Sequence, residues 1–138
     1  INKMIDEYVG KHSGRAVAHT SLGRLNYLSA LKHVSGVIGN SSSGIIEAPS
    51  LKTGTVNIGD RQKGRVRAES IIDCRLCDVN IYDALTILFS KAFQDQVKNV
   101  VNPHEGYEVS KKIVSELRDA PLSLIGENCF FDLPMINS

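Results

Sequence analysis

Apolar positions along the chain recur at two spacings, and the elements follow from them. Ile1, Met4, Ile5, Tyr8 and Val9 stand at helical intervals, so a helix is predicted to be under way at the first residue and to end near residues 10–14. No cap precedes it, which leads us to expect a chain cut from something longer. Residues 16–20, Ala-Val-Ala-His-Thr, are a short strand candidate. A helix over 24–34 is predicted to carry Tyr27, Leu28, Leu31 and Val34 on one face, followed by a strand over 36–39, a serine-rich loop and a short helix over 44–51. Strands are predicted at 55–58 and 70–72. Ile81, Leu85, Leu88, Phe89 and Ala92 then mark one amphipathic helix, and Val109, Ile113, Val114 and Leu117 another that Pro121 closes. Residues 122–138 show no period and receive no assignment. Short apolar runs separated by helices predict parallel strands joined by right-handed crossovers, an α/β chain with a doubly wound sheet.

Composition narrows the picture without changing it. The 138 residues, 42% hydrophobic, suffice for one domain with a real core. Sixteen Lys and Arg against fifteen Asp and Glu leave a formal charge of +1, so no global field draws nucleic acid or an anionic membrane. Any anion must be held locally. Three cysteines make no disulfide framework, and the odd count fits a reducing, cytoplasmic setting. There is no apolar run long enough to span a bilayer and no signal-peptide pattern.

The candidate chemistry lies in Ile38-Gly39-Asn40-Ser41-Ser42-Ser43-Gly44-Ile45-Ile46-Glu47-Ala48-Pro49. A strand gives way to a small, hydroxyl-rich loop that opens a helix, and such a loop holds phosphate through free N–H groups and adjacent hydroxyls. The glutamate lies one turn in. Its capping-box partner would be Gly44, which has no hydroxyl, so Glu47 is better read as an acceptor for ribose hydroxyls. The plainer reading of 40–44 is a polar turn with a serine N-cap. A second loop, Asp60-Arg61-Gln62-Lys63-Gly64-Arg65, follows the next strand, and parallel strands place both loops at the same end of the sheet. Arg61 can fork onto phosphate oxygens there, whereas Lys63 and Arg67 divide evenly between function and a solvated basic run.

Other motifs carry less. Cys74-x-x-Cys77 is half a zinc or redox site without a second ligand pair, and coincidence is its better explanation. His12, His19, His33 and His104 are scattered and read as structural or surface residues. Asn40-Ser41-Ser42 matches a glycosylation sequon that a cytosolic chain cannot use. Neither a Walker lysine nor G-x-G-x-x-G is present, so a P-loop ATPase or dinucleotide enzyme is not indicated. No metal or cofactor is expected.

Three segments together resemble the UDP-N-acetylglucosamine 2-epimerases, in particular the hydrolysing type of sialic and legionaminic acid pathways. They are Ser21-Leu22-Gly23-Arg24-Leu25-Asn26-Tyr27-Leu28, Ile38-Gly39-Asn40-Ser41-Ser42-Ser43-Gly44 and Asn57-Ile58-Gly59-Asp60-Arg61-Gln62-Lys63-Gly64-Arg65. The likeness runs from Ile1 to about Asp119, and the tail Phe130-Phe131-Asp132-Leu133 is similar to the ends of such enzymes. It implies two Rossmann-like domains facing across a cleft, the GT-B arrangement, with residues 1–119 as most of the second, UDP-binding domain and 120–138 as a C-terminal tail. Upstream strands and the whole first domain would lie outside this chain, and the acid/base residues with them. By resemblance Ser41 and Ser42 contact the diphosphate, Gly44 permits close approach, Glu47 meets the ribose and Arg61 neutralises charge. Ser43 and Ile46 stand where relatives vary, and Lys52 stands where a small residue is commoner. Implied partners are UDP, UDP-N-acetylhexosamine, the first domain of the same enzyme and further copies of the chain.

The family's chemistry, so implied, expels UDP from the anomeric carbon with loss of the C2 proton, after which water adds to release N-acetylmannosamine. The helix N–H groups and Arg61 would stabilise charge growing on the leaving group. No base for proton removal is evident among these residues. Two alternatives stay open: the donor domain of a GT-B glycosyltransferase, disfavoured by the 59–65 segment, and a non-catalytic UDP-sugar sensor.

Overall fold

The computed structural model describes residues 1–120. The tail at 122–138, the helix-closing role of Pro121 and the third cysteine therefore lie outside the described residues. The chain divides into two compact units, Ile1–Glu105 and Gly106–Ser138.

In the first unit, β1 (Val37–Gly39), β2 (Thr55–Ile58) and β3 (Ile71–Cys74) form one parallel sheet in that order. Val37 pairs with Thr55, and Thr55 with Ile71. The fold is α/β and Rossmann-like. Strands form where β-branched residues can bury side chains on both faces, and the central strand does so: Thr55, Val56 and Asn57 are all buried. The candidate strand at 16–20 does not form. Its small alanines and Val17, 73% exposed, offer no face to bury, so nothing offsets leaving its backbone without a ladder.

Helices α3 (Ser42–Ile46) and α4 (Asp78–Leu88) pack on opposite faces of the sheet; the first unit also holds α1 (Asn2–Lys11), which buries no residue, α2 (Gly23–His33), α5 (Lys91–Val97) and a 3-10 turn at Ala48–Leu51. Val56 points to one side, into a core of Ala84, Leu88, Phe93 and Val97, with Ile58, Ile72, Cys74 and Leu85 packed around it. Thr55 points to the other, where its Oγ1 donates to Gly44 O at 3.0 Å under α3. Ile45 and Ala48 are fully buried. Thr53 Oγ1 donates to Leu31 O at 2.6 Å and ties the end of α2 to the start of β2.

Two predicted helices differ from those found. The 81–92 helix is two, because Ser90 turns to an extended conformation and its hydroxyl accepts the Phe93 N–H at 3.2 Å, capping α5. Phe93 and Val97 enter the core, while Phe89 is left 60% exposed. The 44–51 helix starts earlier, at Ser42, and its α-helical part stops at Ile46. Pro49 has no N–H to continue the ladder and falls inside the 3-10 turn instead.

The second unit, as far as it is described, holds α6 (Val109–Asp119), with Lys111 bonded to Glu108 ahead of it. Val109, Ile113, Val114 and Leu117 mark its apolar stripe. Among the described residues no helix is long and apolar enough to cross a membrane.

Candidate functional site

The serine loop leaves β1 and the basic loop leaves β2, both from carboxyl ends of parallel strands. They are joined: Gln62 Nε2 donates to Asn40 O at 2.9 Å. Gln62 is only 4% exposed, and its Oε1 has no partner, which leaves one buried acceptor at the junction. Gly59 makes the turn out of β2 at φ 74°, a conformation that favours glycine.

In the serine loop, Ser41 is the N-cap of α3. Its hydroxyl accepts the Ser43 N–H at 3.4 Å, a long bond, and its own proton stays available to an anion. Ser42 is half-buried in the first turn. Gly44 is buried, and the Cβ it lacks would stand 2.7 Å from Thr55 Cγ2. Close packing of α3 on the sheet therefore demands glycine there, independently of any ligand.

Glu47 ends α3 and is half-buried. The hydroxyl that meets its carboxylate comes from Ser43, four residues back along the helix rather than three. Tyr27 OH lies 2.7 Å from the same Ser43 Oγ. Ser43, to which the sequence reading assigned little, is thus the centre of a Tyr27, Ser43 and Glu47 network. Behind it, Asn102 Nδ2 donates to Ile46 O at 2.8 Å and to Ser50 Oγ at 2.7 Å, and so braces the segment. Tyr27, Gln62 and Asn102 gave no local signal for these contacts.

The cations of the basic loop separate by role. Arg61, Lys63 and Arg65 are exposed. Arg67 turns inward: its Nη1 donates to Arg65 O, its Nη2 to Gln62 O, each at 3.0 Å, and its Nε pairs with Asp73 at 2.9 Å. Asp73 also accepts from Asn57 Nδ2 at 2.6 Å across the β2 and β3 pair. Arg67 is an internal clamp that shapes the loop, and a ligand would find it already committed.

Cys74 ends β3 half-buried, with its thiol held above the usual range by burial first, then by Cys77 and Asp73. Cys77 is exposed before α4, where Asn80 Nδ2 donates to its sulfur at 2.8 Å. No group of three or more His, Cys, Asp or Glu that could hold a metal ion occurs among the described residues. His12 and His104 bond the main chain at Tyr8 O and Val66 O. His19 lies exposed in the 12–22 connection, beside Thr20, Ser21 and Tyr27 along a surface cleft.

Comparison with known proteins identifies relatives over most of the chain. The chain is 41% identical over 134 residues to the GDP/UDP-N,N'-diacetylbacillosamine 2-epimerase (hydrolyzing) of Campylobacter jejuni, covering 96% of this chain and 34% of that protein. It is 33% identical over 122 residues to the Legionella pneumophila UDP-N,N'-diacetylbacillosamine 2-epimerase (hydrolyzing), covering 88% of this chain and 31% of that one. A shorter match, 48% over 79 residues, reaches polysialic acid biosynthesis protein P7 of Escherichia coli, covering 57% of this chain and 20% of the relative. The chain thus spans about a third or less of the length of these relatives. The family model described as UDP-N-acetylglucosamine 2-epimerase matches residues 1–118. Because that match takes in both joined loops and the strands that position them, the chain belongs to the UDP-N-acetylglucosamine 2-epimerase family.

Proposed function

We propose that residues 1–119 bind UDP within a hydrolysing UDP-N-acetylglucosamine 2-epimerase that releases UDP and N-acetylmannosamine. The observation that carries this reading is the bond from Gln62 to Asn40, which fixes a hydroxyl loop beside a loop with an exposed arginine. Ser41 and Ser42 donate to the diphosphate, Arg61 supplies fixed positive charge, and Glu47 accepts from the ribose. These donors act most strongly once negative charge grows on the departing UDP, so they lower the barrier as well as bind. Proton removal at C2 requires a positioned base, which this reading assigns to the rest of the parent protein.

The names of the Campylobacter and Legionella relatives favour a second substrate, a UDP-linked N,N'-diacetylbacillosamine. Both readings share the UDP site and differ only in the sugar. Incubating the full-length parent with each UDP-sugar, and measuring UDP and the free 2-epimeric sugar, decides between them. Turnover of at least one is expected, the higher kcat/KM identifies the substrate, and turnover of neither overturns the proposal. The 138-residue chain alone is expected to give none, and UDP is expected to bind with undiminished affinity in the presence of a chelator. A tenfold loss on chelation, about 1.4 kcal/mol, or release of sugar with no UDP formed, overturns the proposal.

A further inference from the structure

The carboxylate assigned to the ribose is itself held by two residues that no motif marks. Ser43 Oγ donates its single proton to Glu47 Oε2. Tyr27 OH, 2.7 Å away, must therefore be the donor to Ser43. The three half-buried groups form a one-way relay from α2, through the first turn of α3, to the residue that ends α3. Each bond polarises the next, and the relay terminates on one carboxylate oxygen. Among the described residues nothing else bonds the Glu47 side chain, so Oε1 keeps its lone pairs. One fixed oxygen with two free lone pairs can accept from two neighbouring hydroxyls.

We propose that Tyr27 and Ser43 are positioning residues that orient Glu47 so that Oε1 reads the 2',3'-diol of a ribonucleotide, and that the relay makes the site select ribonucleotides over deoxyribonucleotides. The inference rests on the UDP-binding reading above. A purely architectural role, in which the Tyr27 hydroxyl only ties α2 to α3, would weaken every ligand alike. Selectivity separates the two.

Binding of UDP, 2'-deoxy-UDP and pyrophosphate is measured by calorimetry in the full-length protein containing this chain, for wild type, Tyr27→Phe, Ser43→Ala, Glu47→Ala and the Tyr27→Phe/Glu47→Ala double variant. Tyr27→Phe and Ser43→Ala are each expected to weaken UDP about three- to tenfold, the worth of one hydrogen bond, to weaken 2'-deoxy-UDP, which keeps its 3'-hydroxyl, by less, and to change pyrophosphate by less than about twofold. Adding Tyr27→Phe to Glu47→Ala is expected to cost nothing more, because the two act through one contact. Equal weakening of all three ligands, or additive losses in the double variant, overturns the relay. If Tyr27→Phe fails to fold, Ser43→Ala carries the same comparison. Failure of the underlying reading looks different: Glu47→Ala would then leave the preference for UDP over 2'-deoxy-UDP at its wild-type value.

Discussion

Lys52 adopts φ 57° and ψ 41°, the left-handed region, at the end of the 3-10 turn behind the candidate site. A residue with a Cβ pays about 1 kcal/mol to stand there. Its ammonium group donates to Val100 O at 2.6 Å, which offsets that cost and anchors the segment after α5. Glycine would adopt this backbone angle without strain. Lys52→Met keeps the strain and loses the bond, so urea unfolding is expected to show a loss of about 1 kcal/mol. Lys52→Gly loses the bond but relieves the strain and is expected to cost less. A larger loss for glycine than for methionine would mean that the left-handed conformation carries no penalty.

At the scale of elements, the tightest constraint is the approach of α3 to β2. Gly44→Ala places a Cβ 2.7 Å from Thr55 Cγ2 and is expected to destabilise by about 1–3 kcal/mol. Thr55→Ser removes the opposing methyl while keeping the hydroxyl that bonds Gly44 O, so it should recover most of that loss in the double variant. Thermal unfolding of the four proteins tests the pair, and additive losses would place the clash elsewhere. The strands expected at 36–39, 55–58 and 70–72 form at 37–39, 55–58 and 71–74, because short β-branched runs bounded by polar turns favour strands, and the last runs on through Asp73 and Cys74, which pair with Asn57 and Ile58 of β2. The break between α4 and α5 was not legible in the sequence, since Phe89 and Ala92 continue the period of Ile81 and Leu85 straight across Ser90, and only the Ser90 cap on Phe93 reveals it. Of the candidate site, Ser41, Glu47 and Arg61 could be named from residue type and place in the loops. Ser43, Tyr27 and Gln62 could not, because their partners come from elements that only the folded chain brings near.

Across the whole molecule, the chain spans about a third of the length of the Campylobacter and Legionella relatives, and turnover is proposed only for a protein of that length. Within the first unit, each parallel pair joins strands that follow one another directly in the sequence, Val37 against Thr55 and Thr55 against Ile71. Parallel sheets are usually slow to assemble, because distant segments must meet before any contact repays the lost chain entropy. Here the crossover through α3 and the 3-10 turn is short, so β1, α3 and β2 can close as a nucleus before α5 docks. Gly44→Ala is therefore expected to slow refolding. Phe93→Leu, on the late-docking α5, should instead speed unfolding and leave the refolding rate nearly unchanged. Stopped-flow chevrons in which Phe93→Leu slows refolding as much as Gly44→Ala would exclude that order. In that order of folding, the serine loop between β1 and α3 takes its shape before the rest of the unit has condensed around it.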